Sequence, residues 1–86
     1  MTISLPKSAR EILANNITYF RLQRGWSQED FAERLGSKAT YISNLENAKR
    51  NVRIDYIEHI ANTLNVSMEQ LFTIRAIQNN HHVNRQ

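Results

Sequence analysis

The sequence predicts an all-α fold, a compact bundle of five short helices. Helix-start signals recur along the chain, whereas strand signals are nearly absent. The most informative stretch is residues 28–47, where Phe31 and Leu35 lie one helical turn apart and Ile42 and Leu45 follow beyond Gly36. Because a glycine can adopt the left-handed conformation that ends one helix and directs the next, this spacing predicts a helix-turn-helix at helices two and three.

The first helix is predicted over residues 9–24. Ser8 and Glu11 have the spacing of a capping box, in which each side chain bonds the backbone N–H of the other residue. Gly25 follows as the terminator. The residues at three- and four-residue steps that form the inward face are Ile12, Leu13, Ile17 and Phe20.

The second helix is predicted to begin after Ser27, with Asp30 at the third helical position. Trp26 can pack on Phe31 as a hydrophobic staple, which would fix the angle at which the chain enters the helix. Ala32 is small enough to let the third helix approach closely. We therefore expect helices two and three to meet at a steep angle.

The third helix is expected to open at Ser37 or Lys38 and to end near Asn47. Residues 48–53 contain three cations and are predicted to form an exposed loop. A fourth helix follows, and its apolar side chains at helical spacing predict a core-facing surface made of Ile54, Ile57, Ile60, Ala61 and Leu64.

The last helix is predicted from Met68 to Ile77. Ser67 and Gln70 form another capping box, and Val66 can staple to Leu71. The apolar edge continues beyond what a small core needs, so it predicts a partner surface. The residues expected at a dimer interface are Leu71, Ile74 and Ile77.

Length and composition set limits on the function. With 86 residues, we expect one domain over residues 1–78, including the dimerisation helix, and a polar, flexible tail over residues 79–86. The formal charge of +3 favours an anionic partner, and the absence of cysteine excludes disulfides and thiol chemistry. No signal peptide or membrane span is evident, which predicts a cytoplasmic protein with no membrane association.

Four segments together resemble the Cro/CI-type helix-turn-helix regulators of bacteria and phages, also called the XRE family. They are SQEDFAERLG, YISNLE, KRN and IDxIxxIAxxLNVSxxxLF. The resemblance as a whole covers about Ile12 to Phe72. The resemblance implies a lambda-repressor-like domain that binds double-stranded DNA as a dimer, with helix three in the major groove. The short length is similar to that of restriction-modification controller proteins and Cro-like repressors. The positions that match together are Gln28, Ala32, Gly36, Ile42, Leu45 and Glu46.

The outer face of helix three is where base contacts are expected, because only the major groove distinguishes all four base pairs. Asn44 can form paired hydrogen bonds with adenine, and the Thr40 methyl group can contact thymine. A solvated polar face is the alternative interpretation. The expected base-contact residues are Lys38, Ala39, Thr40, Ser43 and Asn44.

Phosphate contacts are expected from the start of helix two and from the cationic loop. The resemblance assigns such a contact to Gln28. Tyr41 could donate its hydroxyl group to a phosphate or pack its ring beside helix two. A merely solvated loop is again the alternative. The full set of expected phosphate contacts is Arg24, Ser27, Gln28, Tyr41, Lys49, Arg50, Asn51 and Arg53.

The resemblance also implies a structural ion pair between Arg21 and Glu46, which would link helix one to the end of helix three. This chain departs from the family pattern at three positions. Lys38 replaces the usual capping Ser or Thr, so the cap could shift to Ser37. Ala48 occupies a position that is often glycine, and Arg53 replaces a capping serine, so the intervening loop could be strained or shaped by DNA.

Enzyme activity is not expected, because the chain has no phosphate-binding glycine loop and no nucleophile elbow. No metal site or cofactor is expected either, since His59, His81 and His82 lack metal-ligand spacing. An antitoxin-like module that masks a partner protein through helix five is the main alternative. RNA polymerase is a further possible partner, contacted through Glu29, Asp30 and Glu33, and a solvated helix face is the favoured alternative for these residues. We expect the protein to be bacterial or phage-encoded and associated with the nucleoid when bound to DNA.

Overall fold

The computed structural model describes residues 4–78, which form five helices and no strand. The all-α prediction is therefore confirmed. No helix within this range is long and apolar enough to cross a membrane. The predicted tail over residues 79–86 and the histidines at 81 and 82 lie outside the described residues. The helices are α1 (Ala9–Gln23), α2 (Gln28–Leu35), α3 (Ala39–Glu46), α4 (Ile54–Leu64) and α5 (Met68–Leu71).

One hydrophobic core joins all five helices. α1 packs against α3 and α5, α2 against α3 and α4, and α4 against α5. The core contains the residues that the helical spacing placed inward on α2 and α3, so both helices of the pair rest on packed side chains. The largest fully buried side chains are those of Ile17, Phe31, Ile42, Ile60, Leu64, Leu71 and Asn16.

Two of the predicted inward positions are more exposed than expected. Ile12 is only half-buried. Ile54 is 70% exposed, so its assignment to the core face was wrong. Burial along α4 starts one turn later, at Ile57, which places Ile54 beyond the packed end of the helix. The first residue of a helix can have the correct periodicity and still have no neighbour to cover it.

Side-chain caps begin three of the five helices. Ser27 and Asp30 form a complete capping box on α2, and Ser67 with Gln70 forms another on α5. At α1 the prediction was half right. The Ser8 hydroxyl group accepts from the Glu11 N–H at 3.1 Å, but the Glu11 carboxylate accepts from the Lys7 N–H at 2.7 Å instead of from Ser8.

Helix five is much shorter than predicted and ends at Leu71. Residues 72–78, called the C-terminal strap below, run without regular structure along α1. The Asn16 amide group donates to the carbonyl oxygens of Leu71 at 2.8 Å and of Thr73 at 2.7 Å. These bonds capture the carbonyl groups at the helix end and lead the chain away from the helical path.

Asn15 holds the second half of the C-terminal strap. Its Nδ2 donates to the carbonyl oxygens of Arg75 at 3.1 Å and Ala76 at 3.0 Å, and its Oδ1 accepts from the Gln78 N–H at 2.6 Å. The Ile77 N–H donates to the carbonyl oxygen of Ser4 at 2.9 Å, which ties the strap to the N-terminal segment. Hydrogen bonds from Asn15 and Asn16 therefore hold residues 72–78 against α1, where the sequence predicted further turns of helix five.

Candidate nucleic-acid interface

The turn between α2 and α3 has the geometry that the sequence predicted. Gly36 has a φ of 82°, and the Ala32 carbonyl oxygen accepts from the N–H groups of Gly36 at 2.9 Å and Ser37 at 2.8 Å. At the other end of α2, the ring of Trp26, which precedes the helix, stacks on the ring of Phe31 within it, with centroids 6.0 Å apart. Both ends of α2 are thus fixed, and α2 in turn supports α3.

α3 begins at Ala39, with Lys38 as the N-cap residue and no side-chain capping bond. The possible shift of the cap to Ser37 is therefore wrong. A lysine side chain has no acceptor for the first backbone N–H groups, which leaves them available to solvent or to an anion. The start of α3 thus fixes the register of the expected base-contact residues.

The residues of α3 divide into an inner and an outer face. Ile42 is 0% exposed and Leu45 2%, so one side of the helix is fully packed. The other side carries every residue expected to contact bases. Lys38 and Thr40 are exposed, whereas Ala39, Ser43 and Asn44 are half-buried. None of these side chains is enclosed in the core, so the structure presents them together on one accessible face.

A buried ion pair fixes the far end of α3. Arg21 Nε lies 2.6 Å from Glu46 Oε2, and Arg21 Nη2 donates to Glu46 Oε1 at 3.0 Å. The exposed fractions of the two side chains are 5% and 3%. Arg21 Nη1 also donates to the Trp26 carbonyl oxygen at 2.7 Å. The arginine thereby joins α1 to the end of α3, as the family resemblance implied, and it also bonds the entry to α2, which was not predicted.

Gln28 and Ser27 lie at the start of α2, where phosphate contacts were expected. Gln28 Nε2 donates to Glu46 Oε1 at 3.1 Å, so its amide group already has a partner within the protein. Ser27 accepts from the Asp30 N–H at 2.9 Å, and Asp30 Oδ2 accepts from the Ser27 N–H at 3.0 Å. The bond from the Ser27 N–H, aided by its hydroxyl group, lowers the pKa of Asp30.

The Tyr41 ring packs against Tyr56 of α4. Its centroid is 5.8 Å from that of Tyr56 in an edge-to-face arrangement, and the Arg50 guanidinium lies 4.9 Å from the Tyr41 centroid. Burial, followed by proximity to Tyr56, raises the pKa of Tyr41. The phenol is therefore protonated at neutral pH and can donate a hydrogen bond to a phosphate.

The loop after α3 begins with a residue in a strained conformation. Ala48 has a φ of 60°, and the N–H groups of Ala48 and Lys49 donate to the carbonyl oxygens of Leu45 and Asn44. This is a Schellman motif with alanine in the position that favours glycine. The motif directs the loop outward, and its exposed polar residues are Lys49, Arg50, Asn51 and Arg53.

The cations nearest this interface include one that sequence reasoning missed. Arg10, in the first turn of α1, donates through Nη2 to Asn51 Oδ1. The two residues are 41 positions apart, and no local pattern links them. Arg24, which was expected to contact phosphate, is half-buried, and its Nη1 donates to the Phe20 carbonyl oxygen at 3.1 Å.

The expected dimer surface needs one correction. Leu71 is 0% exposed and belongs to the core of the monomer, so it cannot contact a second copy. Ile74 and Ile77 are 59% and 48% exposed, but they lie on the C-terminal strap and not on a helix. The other large apolar side chains exposed among residues 4–78 are Leu5, Ile54 and Phe72.

No group of three or more metal-ligating side chains occurs among residues 4–78. His59 Nε2 lies 2.9 Å from the Leu35 carbonyl oxygen and so links α4 to the end of α2. Its role in the described structure is a contact between helices.

Residues 17–71 match the helix-turn-helix family HTH_3. The chain belongs to this family. Its members are DNA-binding regulators, and the match spans all five helices except the first two turns of α1. A solved structure of the hypothetical transcription factor NHTF from Neisseria superposes with a TM-score of 0.76 at 36% identity, over 85% of this chain and 86% of that one.

Relatives with named roles are also similar. Control protein C.SmaI of Serratia marcescens is 37% identical over 70 residues, 81% of this chain and 83% of that protein. The restriction-modification controller protein C.Esp1396I superposes with a TM-score of 0.67 at 33% identity, over 76% of this chain and 88% of that one. Antitoxin HipB of Escherichia coli K12 is 38% identical over 56 residues, 65% of this chain and 64% of that protein.

Coverage of the Neisseria meningitidis relative is less complete. The hypothetical transcription factor of that organism is 40% identical over 62 residues, and the chain spans 58% of its length.

Proposed function

We propose that this protein is a sequence-specific regulator of transcription that binds duplex DNA as a homodimer on a palindromic operator. The observation that carries the proposal is the accessible polar face of α3, which is held outward by the packed Ile42 and Leu45 and by the buried pair of Arg21 and Glu46. An α-helix fits the major groove, and an outer face of short polar side chains can reach base edges.

Base recognition is assigned to the residues of α3 that share the outer face. Asn44 has a donor and an acceptor for adenine, and Thr40 offers a methyl group to thymine. Lys38 can reach a guanine or a phosphate. We expect Asn44→Ala to relax specificity at one base pair, at a cost of about 1 to 3 kcal/mol. Asn62→Ala, an exposed asparagine on α4, is the matched control. Equal loss on cognate and scrambled duplexes would contradict the role of Asn44.

Phosphate contacts are assigned to the loop after α3 and to the start of α2. Arg50 stacks on Tyr41, which places its charge beside α3. Arg50→Ala should therefore weaken binding to all sequences alike and reduce the salt dependence, because each released counterion contributes to it. Gln28 can contribute its amide only together with, or in place of, its bond to Glu46. Arg24, Ser27, Lys49, Asn51 and Arg53 complete the proposed set.

Dimerisation is assigned to the C-terminal strap. A two-fold dimer would place its two α3 helices in successive major grooves, with half-sites about one helical turn apart. Ile74→Glu combined with Ile77→Glu should give monomers by sedimentation, whereas Ile54→Glu provides a matched control on α4. If Ile54→Glu alone converted the dimer to monomers, the dimer interface would lie on α4 instead.

The similarity to C.SmaI and C.Esp1396I supports a controller of a restriction-modification operon. A protein of this kind acts in the cytoplasm and is associated with the nucleoid when bound to DNA. The acidic residues Glu29, Asp30 and Glu33 on α2 provide a surface for RNA polymerase. The similarity to HipB favours a second candidate, an antitoxin-like module that masks a partner protein.

Selection of bound duplexes from a random pool tests the main proposal directly. A palindromic consensus would support a two-fold dimer, and its spacing would report the distance between the α3 helices. Failure to enrich any sequence would contradict sequence-specific binding. Salt separates the two candidates, because binding through about 6 to 10 phosphates should weaken by about 10³ to 10⁵ between about 50 and 200 mM salt, whereas apolar masking should barely change.

A further inference from the structure

Arg10 and Asn51 form a pair of donor groups at the edge of the proposed interface. Arg10 Nη2 donates to Asn51 Oδ1, and both residues are exposed. This bond sets the orientation of the amide group, because Oδ1 faces the guanidinium and Nδ2 is turned away from it. Within residues 4–78, Nδ2 of Asn51 has no protein acceptor. The pair therefore presents N–H groups from two side chains to solvent.

Arg10 has no carboxylate partner within 4 Å among the described residues. The adjacent Glu11 carboxylate accepts from the Lys7 N–H at 2.7 Å, so it is directed toward the preceding segment. A guanidinium binds phosphate oxygens through two parallel N–H bonds, and an amide N–H₂ group can add another. The local chemistry thus suits an anion with several acceptor oxygens.

The pair is continuous with the surface already assigned to DNA. Arg10, Arg50 and Asn51 line one open groove between the start of α1 and the loop after α3. Arg50 in turn lies over the ring of Tyr41 in the first turn of α3. A row of donors therefore extends from the recognition helix to the N-terminal end of α1.

We propose that Arg10 and Asn51 together hold one backbone phosphate of the bound duplex. The proposal rests on the function proposed above and adds a residue of α1 to its DNA-binding surface. Because the two side chains share one phosphate, removing either should release that phosphate, and removing both should cost no more than removing one. Each protomer of a dimer would bind one phosphate in this way.

The test is a salt titration of binding to the selected duplex by wild type, Arg10→Ala, Asn51→Ala and the double variant. The magnitude of the slope of log K against log salt should fall by about 0.9 for each phosphate that the protein no longer neutralises, or by about 1.8 for a dimer. Between about 50 and 200 mM salt, wild type should lose about tenfold more affinity than the variants. Arg34→Ala is the matched control, since its guanidinium stacks 4.4 Å from the Trp26 centroid and outside the groove.

Three results would overturn the assignment. They are an unchanged slope in Arg10→Ala, an equal fall in slope in Arg34→Ala, and a double variant whose slope falls by the sum of the two single changes. If wild type binds no duplex, the proposed function fails as well, whereas normal binding by wild type limits the failure to this pair. Arg10→Lys keeps the charge and should restore the slope, which provides a second measurement if the alanine variant melts at the assay temperature.

Discussion

Loss of the Glu46 carboxylate should destabilise the domain far more than loss of a surface charge. Glu46→Ala removes both bonds to Arg21 and the bond from Gln28. The Arg21 side chain, which is 5% exposed, would then keep its charge without its carboxylate partner. Breaking a buried pair in this way costs about 3 to 5 kcal/mol, whereas an exposed pair contributes about 0 to 1 kcal/mol.

The expected loss is large compared with the stability available. At roughly 0.05 to 0.15 kcal/mol per residue, a chain of 86 residues has a free energy of unfolding of about 4 to 13 kcal/mol. Because each kcal/mol corresponds to about 4 to 8 °C in a domain of this size, the melting temperature should fall by at least about 12 °C. If the wild-type stability is near the lower end of this range, the variant should be partly unfolded at 37 °C.

Trp26 is the assay reporter, because it is the sole tryptophan and its carbonyl oxygen accepts from Arg21. Urea unfolding followed by its fluorescence, at one protein concentration, gives the free energy of unfolding. Glu58→Ala, on the exposed face of α4, is the control and should change stability by about 0.5 kcal/mol or less. Arg21→Met combined with Glu46→Leu should recover most of the loss, because no buried charge remains. A loss below about 1 kcal/mol in Glu46→Ala would refute the reasoning.

Three further predictions concern local features. Ala48→Gly should raise the free energy of unfolding by up to about 1 kcal/mol, since glycine relieves the left-handed strain but costs chain entropy. The urea midpoint should therefore rise, and a lower midpoint would exclude strain at this position. The pKa of Asp30 lies below its ordinary value of 3.8, so its charged form stabilises the folded state above that pH and the contribution is lost as pH falls through the lower value. The difference in melting temperature between wild type and Asp30→Asn should therefore shrink below about pH 4, and a constant difference would contradict the capping role. Asn15→Ala should cost about 1 to 3 kcal/mol and raise amide exchange at Gln78, whose N–H donates to Asn15 Oδ1, more than amide exchange in the core. Equal increases at Gln78 and in the core would show that the strap is not a separate unit.

The helix-turn-helix was predictable because its determinants are local. Gly36 at the turn and the one-turn spacing of Phe31 and Leu35 act through neighbouring backbone, and the structure places each as expected. The strain at Ala48 was one of two alternatives that the family resemblance suggested, because alanine occupies a position there that is often glycine. Patterns that operate within a few residues can be read directly from the sequence.

The C-terminal segment was not predictable for the opposite reason. Ile74 and Ile77 have helical spacing relative to Leu71, and periodicity alone favours a longer helix. The competing bonds come from Asn15 and Asn16, more than 50 positions away, and no short-range signal reports them. The same limitation hid the approach of Arg10 to Asn51, which depends on how α1 and the loop after α3 come together.

The hydrogen bonds from Asn15 and Asn16 that hold the C-terminal strap do not depend on which side chains the strap carries. Asn15 and Asn16 bond to main-chain carbonyl oxygens, which every amino acid supplies, so replacing Ile74 or Ile77 leaves those anchors in place. Outward side chains on this segment can thus diversify while its course stays constant. If the strap forms the dimer interface as proposed, substitution at Ile74 and Ile77 would change which copies pair without altering the residues of α3.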